Sequence, residues 1–305
     1  MGRIAEALKR AEQERRSHSP GRLSRTAGLA DPMDVSAMLT LPTDVGQVDA
    51  GGLEVSDEVL PIVEGMTGSL VTYYDRSCPV SEQFRTLRTR LISLNPSNEH
   101  RVLAITSTVP KEGKSVSTVN LAFSLAEIRH LKTVVVDGDF RRSSLAKMLN
   151  LRNTPGLADL LRGEATYEEV LQPTPLPNLF FIAAGNTDRR SAAELLTSRK
   201  TADVFRRLHA QFHYSLVDTP PVTTVTDVGI IGHMCSAVIL VVRLNKALEP
   251  MARRAVRLLQ VNNIPILGAL LVGDDRTMTR YGYQYSDDCN YRDYLRQRPT
   301  DDTAQ

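Results

Sequence analysis

From about residue 80 onward, apolar runs of strand length alternate with helical stretches, and this alternation constrains the fold more than any other feature. Each run consists of consecutive apolar residues, which is typical of strands covered on both faces. The predicted strands are Val102–Ser107, Thr133–Asp137, Leu179–Ala183, Tyr214–Asp218, Ala237–Arg243 and Ile266–Val272. The predicted helices include Lys114–Arg129, Ala192–Gln211 and Pro250–Asn262. Repeated β-α units predict an α/β fold with a doubly wound, mostly parallel sheet.

Charge and composition exclude several classes of protein. The 305 residues carry 37 Lys and Arg against 35 Asp and Glu, so the chain lacks the basic excess of a dedicated nucleic-acid binder. No run approaches the roughly 18–20 apolar residues of a membrane span, and the N-terminus lacks the apolar core of a signal peptide. Cys78, Cys235 and Cys289 show neither zinc-ligand spacing nor a disulfide pattern. We therefore expect a soluble cytoplasmic protein that reaches a membrane only through a partner.

The chain divides into four predicted parts. Residues 1–16 have the pattern of a short amphipathic helix, which is either a frayed end or a docking helix for a partner. Residues 17–77 are rich in Gly, Pro, Ser and Thr without a persistent period, which predicts a largely disordered linker in which Leu70–Tyr74 could form a short edge element. Residues 78–275 form the predicted folded domain, and residues 276–305 a flexible tail rich in tyrosine.

The first predicted strand leads directly into the Gly-Lys-Ser of a phosphate-binding loop of the Walker A type. Such a loop presents backbone N–H groups and a helix N-terminus to phosphate. Lys114 would reach the β- and γ-phosphates, and the Ser115 hydroxyl would bind Mg²⁺. Thr108 replaces the first glycine of G-x-x-x-x-G-K-[ST], so the strand–loop–helix context has to distinguish this loop from a chance match. The predicted nucleotide-binding residues are Pro110, Lys111, Glu112, Gly113, Lys114, Ser115 and Val116.

Aspartates follow two further predicted strands. Asp137 and Asp139 come at the end of the second strand, and Asp218 ends the fourth in a Walker B pattern. Ligands of doubly wound sheets bind at this edge, and clustered carboxylates there suit an Mg²⁺-nucleotide, although either site alone could be an ordinary polar turn. A guanine-recognising Asn-Lys-x-Asp sequence is missing. The sequence therefore predicts ATP and Mg²⁺ as cofactors, with Ser115, Asp137 and Asp218 around the metal.

Together these motifs resemble the Walker A, A′ and B motifs of bacterial tyrosine kinases, which belong to the MinD/ParA group of P-loop NTPases. A helix with the pattern E-x-x-R-x-x-R, another motif of these kinases, is formed by Glu82, Arg85 and Arg88. The start of the chain is similar, more loosely, to soluble autokinases associated with exopolysaccharide and exosortase systems. Two positions depart from the wider group: Val109 replaces its signature lysine, and Val272 stands where an asparagine near adenine is frequent.

The resemblance implies an ATP-dependent protein-tyrosine autokinase. Lys114, Asp137 and Asp139 would be catalytic, with Asp137 the first candidate for the base that accepts the tyrosine proton. The phosphate acceptors would be five tyrosines crowded near the C-terminus, although a terminal helix that anchors some of the rings is the alternative. These acceptors are Tyr281, Tyr283, Tyr285, Tyr291 and Tyr294.

The resemblance also implies partners. Glu82, Arg85 and Arg88 would make subunit contacts in a ring-like homo-oligomer, in which each tail is phosphorylated by a neighbour; ordinary salt bridges on a helix face are the alternative. A membrane-anchored polysaccharide co-polymerase or export adaptor would recruit the kinase to the inner face of the plasma membrane, where it would regulate exopolysaccharide or capsule biosynthesis. Other protein substrates are possible. The competing hypothesis is a MinD/ParA-like ATPase switch or scaffold without kinase activity.

Overall fold

A single sheet organises the computed structural model, which describes residues 66–186, 192–224 and 227–273. Its strands are β1 (Arg101–Ser107), β2 (Thr133–Asp137), β3 (Leu171–Pro173), β4 (Leu179–Ile182), β5 (Tyr214–Asp218), β6 (Ala237–Arg243) and β7 (Ile266–Val272). Their order across the sheet is β3-β4-β2-β5-β1-β6-β7. Neighbouring strands run parallel except for β3 against β4. The predicted mostly parallel α/β sheet is confirmed.

Helices cover both faces of this sheet, which explains why its central strands are apolar on both sides. Along the chain they are α1 (Val71–Tyr74), α2 (Pro79–Ser93), α3 (Lys114–Ala126), α4 (Leu145–Leu149), α5 (Leu157–Arg162), α6 (Tyr167–Val170), α7 (Ala192–Leu196), α8 (Arg199–Gln211), α9 (Asp227–Met234) and α10 (Glu249–Val261). Leu103 and Ile105 of β1 join the core layer that contains α3. Val102 and Ala104 join the opposite layer, with α8, α9 and α10. The chain is therefore doubly wound, as predicted.

Three elements differ from the sequence-based prediction. The short antiparallel strand β3 was not predicted. The predicted helix 192–211 is two helices, because Ser198 adopts an extended backbone between α7 and α8. Strand β7 is only partly covered, with Leu271 55% exposed, because a strand at the edge has a neighbour on one side only. A continuous apolar run identifies a strand without showing its place in the sheet.

The folded domain begins earlier than the predicted boundary at residue 78. Met66, Leu70 and Tyr73 are buried in the layer that contains α3. The Thr72 backbone N–H and hydroxyl both donate to Asn120 Oδ1 of α3, at 3.0 and 2.9 Å. Leu70–Tyr74 was expected to be an edge element, whereas Val71–Tyr74 is a helix. The last part of the predicted linker therefore packs on the domain, a tertiary contact that local composition does not reveal.

Two further observations concern expectations about the compartment. Cys235 is a free thiol. Across the part of the chain that the structure describes, no helix combines the length and apolar character needed to cross a membrane. The predicted N-terminal helix, most of the linker and the tail lie outside the described residues.

A cluster of histidines lies at the start of the strands, and it predicts acid sensitivity. Burial and the charges of His100 and His130 lower the pKa of His213, whose Nδ1 accepts the Lys132 backbone N–H at 3.0 Å. A histidine with a lowered native pKa binds fewer protons than in the unfolded chain, so stability is lost as pH falls below about 6.5. We expect His213→Gln to flatten the fall in melting temperature between pH 7 and 5. His233→Gln, at an exposed position on α9, is the control; equal slopes for both variants and the wild type would contradict this.

Candidate active site

The predicted phosphate-binding loop connects β1 to α3. Gly113 immediately precedes α3 with φ of 92°, a left-handed conformation that disfavours side chains, and its carbonyl accepts the Ser117 N–H at 2.9 Å. Lys111 also has a positive φ, 65°. This backbone turns sharply at the N-terminus of a long helix, where N–H groups and the helix dipole favour an anion. The strand–loop–helix context on which the prediction depended is present.

The Glu112 side chain stabilises the loop by hydrogen bonds to other loop residues. Its side chain is fully buried, and its two oxygens accept the Thr108 hydroxyl at 2.7 and 2.8 Å. One of them also accepts the Val109 N–H at 2.9 Å. The hydroxyl of Thr108, the residue at the missing glycine position, therefore anchors the loop. Glu112 was predicted as a nucleotide-binding residue, but its side chain makes its contacts within the loop, so its backbone is the part that is available to a phosphate.

Lys114 brings the three motifs together. Its Nζ lies 3.0 Å from Asp139 Oδ2 and 3.2 Å from Asp218 Oδ2, so the Walker A lysine joins the A′ and B carboxylates in one cluster. Burial opposes its charge, but the carboxylates of Asp218 and Asp139 overcome that effect and raise the Lys114 pKa. The ammonium therefore remains charged, ready to exchange carboxylates for phosphate oxygens.

Asp137 is the last residue of β2, two positions before Asp139, and it makes no hydrogen bond to Lys114. Its oxygens accept the backbone N–H groups of Asp139 and Leu145, at 3.2 and 3.1 Å. Burial, with the nearby charge of Asp218, raises its pKa to about 8. Burial also raises the Asp218 pKa, with a smaller contribution from the charge of Asp139, even though Lys114 and the Ser115 hydroxyl oppose that change. The cluster holds three carboxylates and one ammonium. This excess negative charge favours a cation or a proton in the site.

The oxygen atoms in the site are suitable ligands for a magnesium ion that is held jointly with a nucleotide. The Ser115 hydroxyl donates to Asp218 Oδ2 at 2.6 Å, so a hydroxyl and a carboxylate already share one point of the site. Within the described ranges, no group of three or more His, Cys, Asp or Glu side chains is arranged to hold a metal by itself. Mg²⁺ typically takes one or two protein carboxylates and completes its shell with phosphates and water. Ser115 and Asp218 meet that requirement, with Asp137 beside them.

Comparisons with known proteins agree with this geometry. The ParA family model described as "NUBPL iron-transfer P-loop NTPase" matches residues 98–272, more than half of the chain. The putative tyrosine-protein kinase CapB of Staphylococcus aureus is 32% identical over 68% of this chain and 91% of its own length. The chain belongs to the bacterial tyrosine-protein kinase family. The predicted family, enzyme class and P-loop NTPase fold are thereby confirmed.

Two further comparisons show how the family varies in length. The crystal structure of the chimerical protein CapA2B2 is 30% identical, with a TM-score of 0.63, over 70% of this chain and 94% of that one. The putative tyrosine-protein kinase EpsB of Ralstonia nicotianae is 31% identical, but the match covers 67% of this chain and only 27% of EpsB. The chain therefore spans most of the compact relatives and about a quarter of EpsB.

The E-x-x-R-x-x-R motif of this family member lies on α2 and faces its own chain. Arg88 Nη1 donates to Glu127 Oε2 at 2.5 Å and to the Ser124 carbonyl at 2.7 Å, and the residue is 8% exposed. Arg85 Nε lies 3.1 Å from the same Glu127 carboxylate and also pairs with the exposed Glu82. Glu127, at the end of α3, was not singled out from the sequence. Glu82 is exposed and Arg85 partly exposed on α2, whereas Arg88 is buried. The predicted role of these three residues in subunit contacts stays a prediction.

Proposed function

We propose that this protein is an ATP-dependent autokinase that transfers phosphate to tyrosines of its own tail. The observation that carries the proposal is the cluster in which Lys114 lies between Asp139 and Asp218, at the P-loop of a chain that belongs to the tyrosine-protein kinase family. Phosphoryl transfer needs positioning and neutralisation of charge more than covalent chemistry, and a lysine with clustered carboxylates supplies these. The predicted acceptor tyrosines lie outside the described residues.

The roles of the residues follow from their contacts. Lys114 would leave its carboxylates for the β- and γ-phosphates, and Ser115, Asp137 and Asp218 would hold Mg²⁺, which neutralises phosphate charge. A tyrosine hydroxyl has a pKa near 10, so it attacks only as its proton is accepted. Burial raises the Asp137 pKa to about 8 in the metal-free site, closer to that of the phenol, and Mg²⁺ would favour the ionised form that accepts the proton. As the tyrosine oxygen bonds to the γ-phosphorus, the bond to the β-phosphate oxygen breaks, ADP leaves, and the proton passes to Asp137, with Asp139 the second candidate.

We further propose that transfer occurs between subunits of a ring and that a membrane-anchored polysaccharide export adaptor recruits the kinase and links it to exopolysaccharide or capsule biosynthesis. The exposed Glu82 and the partly exposed Arg85 support the subunit contact. Additional protein substrates fit the same chemistry. The ParA family match keeps one alternative open, an ATPase switch or scaffold that hydrolyses or binds ATP without forming phosphotyrosine.

A full-length variant with all five tail tyrosines changed to phenylalanine tests the proposal. With Mg-ATP, we expect phosphotyrosine to fall at least about tenfold while nucleotide affinity is unchanged, because the acceptors are lost and the P-loop is intact. The control is built in, since Tyr73, Tyr74, Tyr167 and Tyr214 remain and are buried. ATP hydrolysis without phosphotyrosine in the wild type would instead support the ATPase alternative.

Mixing two full-length variants tests transfer between subunits. The tail variant lacks acceptors but keeps the active site, and Lys114→Met keeps the tail but lacks the phosphate-binding lysine. Phosphotyrosine on the Lys114→Met chain would show transfer in trans. A mixture without signal, beside an active wild type, would show that each chain phosphorylates itself.

A further inference from the structure

An ion pair outside the predicted site residues links two elements of the site. One is the A′ turn, residues 138–143 after β2, and the other is α9, which follows the Walker B strand β5. Arg141 Nε and Nη2 donate to the two carboxylate oxygens of Asp227 at 3.1 and 3.4 Å. The Asp227 side chain is 1% exposed, whereas that of Arg141 is 35% exposed. Among the described side chains, Arg141 is the one that donates to this carboxylate. The buried charge of Asp227 therefore depends on Arg141.

Arg141 also holds a predicted catalytic residue through its backbone. Its N–H donates to Asp139 Oδ1 at 3.3 Å, and the other oxygen of that carboxylate contacts Lys114 Nζ at 3.0 Å. The turn is closed because the N–H groups of Arg142 and Ser143 donate to the Asp139 carbonyl at 3.0 and 2.8 Å. A displacement of Arg141 would therefore move the Asp139 carboxylate, which contacts Lys114.

Residues that follow the Walker B strand β5 contact the phosphate-binding loop. The Val222 N–H donates to the Ser107 carbonyl at 2.9 Å, and the Thr223 hydroxyl donates to the Thr108 carbonyl at 2.5 Å. Asp227 is the first residue of α9. The Arg141 pair therefore ties the start of α9 to the A′ turn.

We propose that Arg141 and Asp227 form a positioning pair that fixes Asp139 and the start of α9 relative to Lys114 during phosphoryl transfer. The proposal rests on the proposed function and adds two residues to it. Exposed ion pairs stabilise a protein little, and buried ones are often no more stabilising than apolar side chains of similar size, so stability alone is a weak explanation for this partly buried pair. The fork of the guanidinium, which reaches both carboxylate oxygens, instead fixes one geometry. Small displacements of groups around a reacting centre are costly to the rate.

Transfer rates of full-length variants test the pair. We expect Arg141→Lys, which keeps the charge but loses the fork, and Asp227→Asn each to lower the single-turnover transfer rate about 10- to 100-fold at saturating Mg-ATP. Nucleotide affinity, measured with a fluorescent ADP analogue, should stay within about threefold, because Lys114 and the loop remain. Alanine variants test whether the two side chains act as a unit. The transfer rate of the double variant Arg141→Ala/Asp227→Ala should then be no lower than that of the slower of the two single variants, Arg141→Ala and Asp227→Ala.

The matched controls are Arg162→Lys and Asp159→Asn, which alter an arginine–aspartate pair within α5. These variants should have a lower melting temperature but an unchanged single-turnover transfer rate. If Arg141→Lys lowers the melting temperature as the controls do but leaves the transfer rate within about twofold, the pair is structural and the proposal is wrong. ATP hydrolysis is recorded alongside phosphotyrosine, so that a chain without kinase activity still reports the effect of the pair on turnover. An equal loss of nucleotide affinity and rate would also overturn the positioning role.

Discussion

Replacement of Lys114 by methionine is expected to lower phosphotyrosine formation by at least about 1,000-fold, since transition-state charge on the phosphates would lose its main protein cation. The same change should weaken the free protein. Asp139 and Asp218, which contact the ammonium at 3.0 and 3.2 Å, would be left as buried carboxylates without that partner. We expect a loss of about 1–3 kcal/mol in the free energy of unfolding at neutral pH.

The pH dependence separates this electrostatic loss from a packing defect. Without the ammonium, the pKa of Asp218, which burial already raises, rises further above its value in the unfolded chain, so stability should increase as pH falls from 8 towards 5 and this carboxylate becomes protonated. Thermal melts across this range measure the effect. Lys200→Met, at an exposed position on α8, is the control, and it should change neither phosphotyrosine nor the pH profile. A loss of stability that stays constant with pH would contradict the electrostatic cause.

The central part of the fold could be predicted because its signal is local. Consecutive apolar residues identified β2, β5 and β6 with the bounds that the structure gives them, since strands buried between helix layers need apolar side chains on both faces. They also identified β7 with its bounds, although this strand lies at the edge of the sheet and is only partly covered. Two smaller elements could not be predicted in the same way. Strand β3 is three residues long, and α1 depends on a hydrogen bond to Asn120, 48 positions away along the chain. Such contacts are determined by tertiary packing.

In the candidate site, too, the positions of residues along the chain could be predicted, whereas contacts that depend on tertiary packing could not. Lys114, Asp137, Asp139 and Asp218 follow strands whose ends meet at one edge, so sequence position alone was enough to bring them together. Side-chain direction was not predictable. Glu112 belongs to the loop motif, yet its carboxylate binds Thr108 within the loop. Arg88 belongs to a surface motif, yet it is buried against Glu127, a residue whose importance appears only once α2 and α3 pack together.

Replacement of Asp137 by asparagine is expected to produce effects of opposite sign on activity and on stability. Activity should fall at least about 100-fold, because the proposed proton acceptor and one metal-side carboxylate are lost. Stability without metal or nucleotide should change with pH. The native carboxyl has a pKa of about 8, against an ordinary value of 3.8, so between these values the folded state binds more protons and stability falls as pH rises. Asparagine cannot ionise and removes that slope, which is at most about 1.4 kcal/mol per pH unit.

The curves of wild type and Asp137→Asn should therefore cross when melting temperature is measured in chelator from pH 5 to pH 9. At pH 5 the wild type should be at least as stable, because a protonated Asp137 still accepts the N–H groups of Asp139 and Leu145, whereas the asparagine amide can accept only with its single oxygen. At pH 9 the variant should be more stable, because the wild type then buries an ionised carboxylate beside Asp218. Asp227→Asn provides the contrast, since it removes a paired carboxylate and should be less stable at every pH. Parallel curves for Asp137→Asn and wild type would refute the raised pKa, and full phosphotyrosine formation by the variant would refute its role as the base.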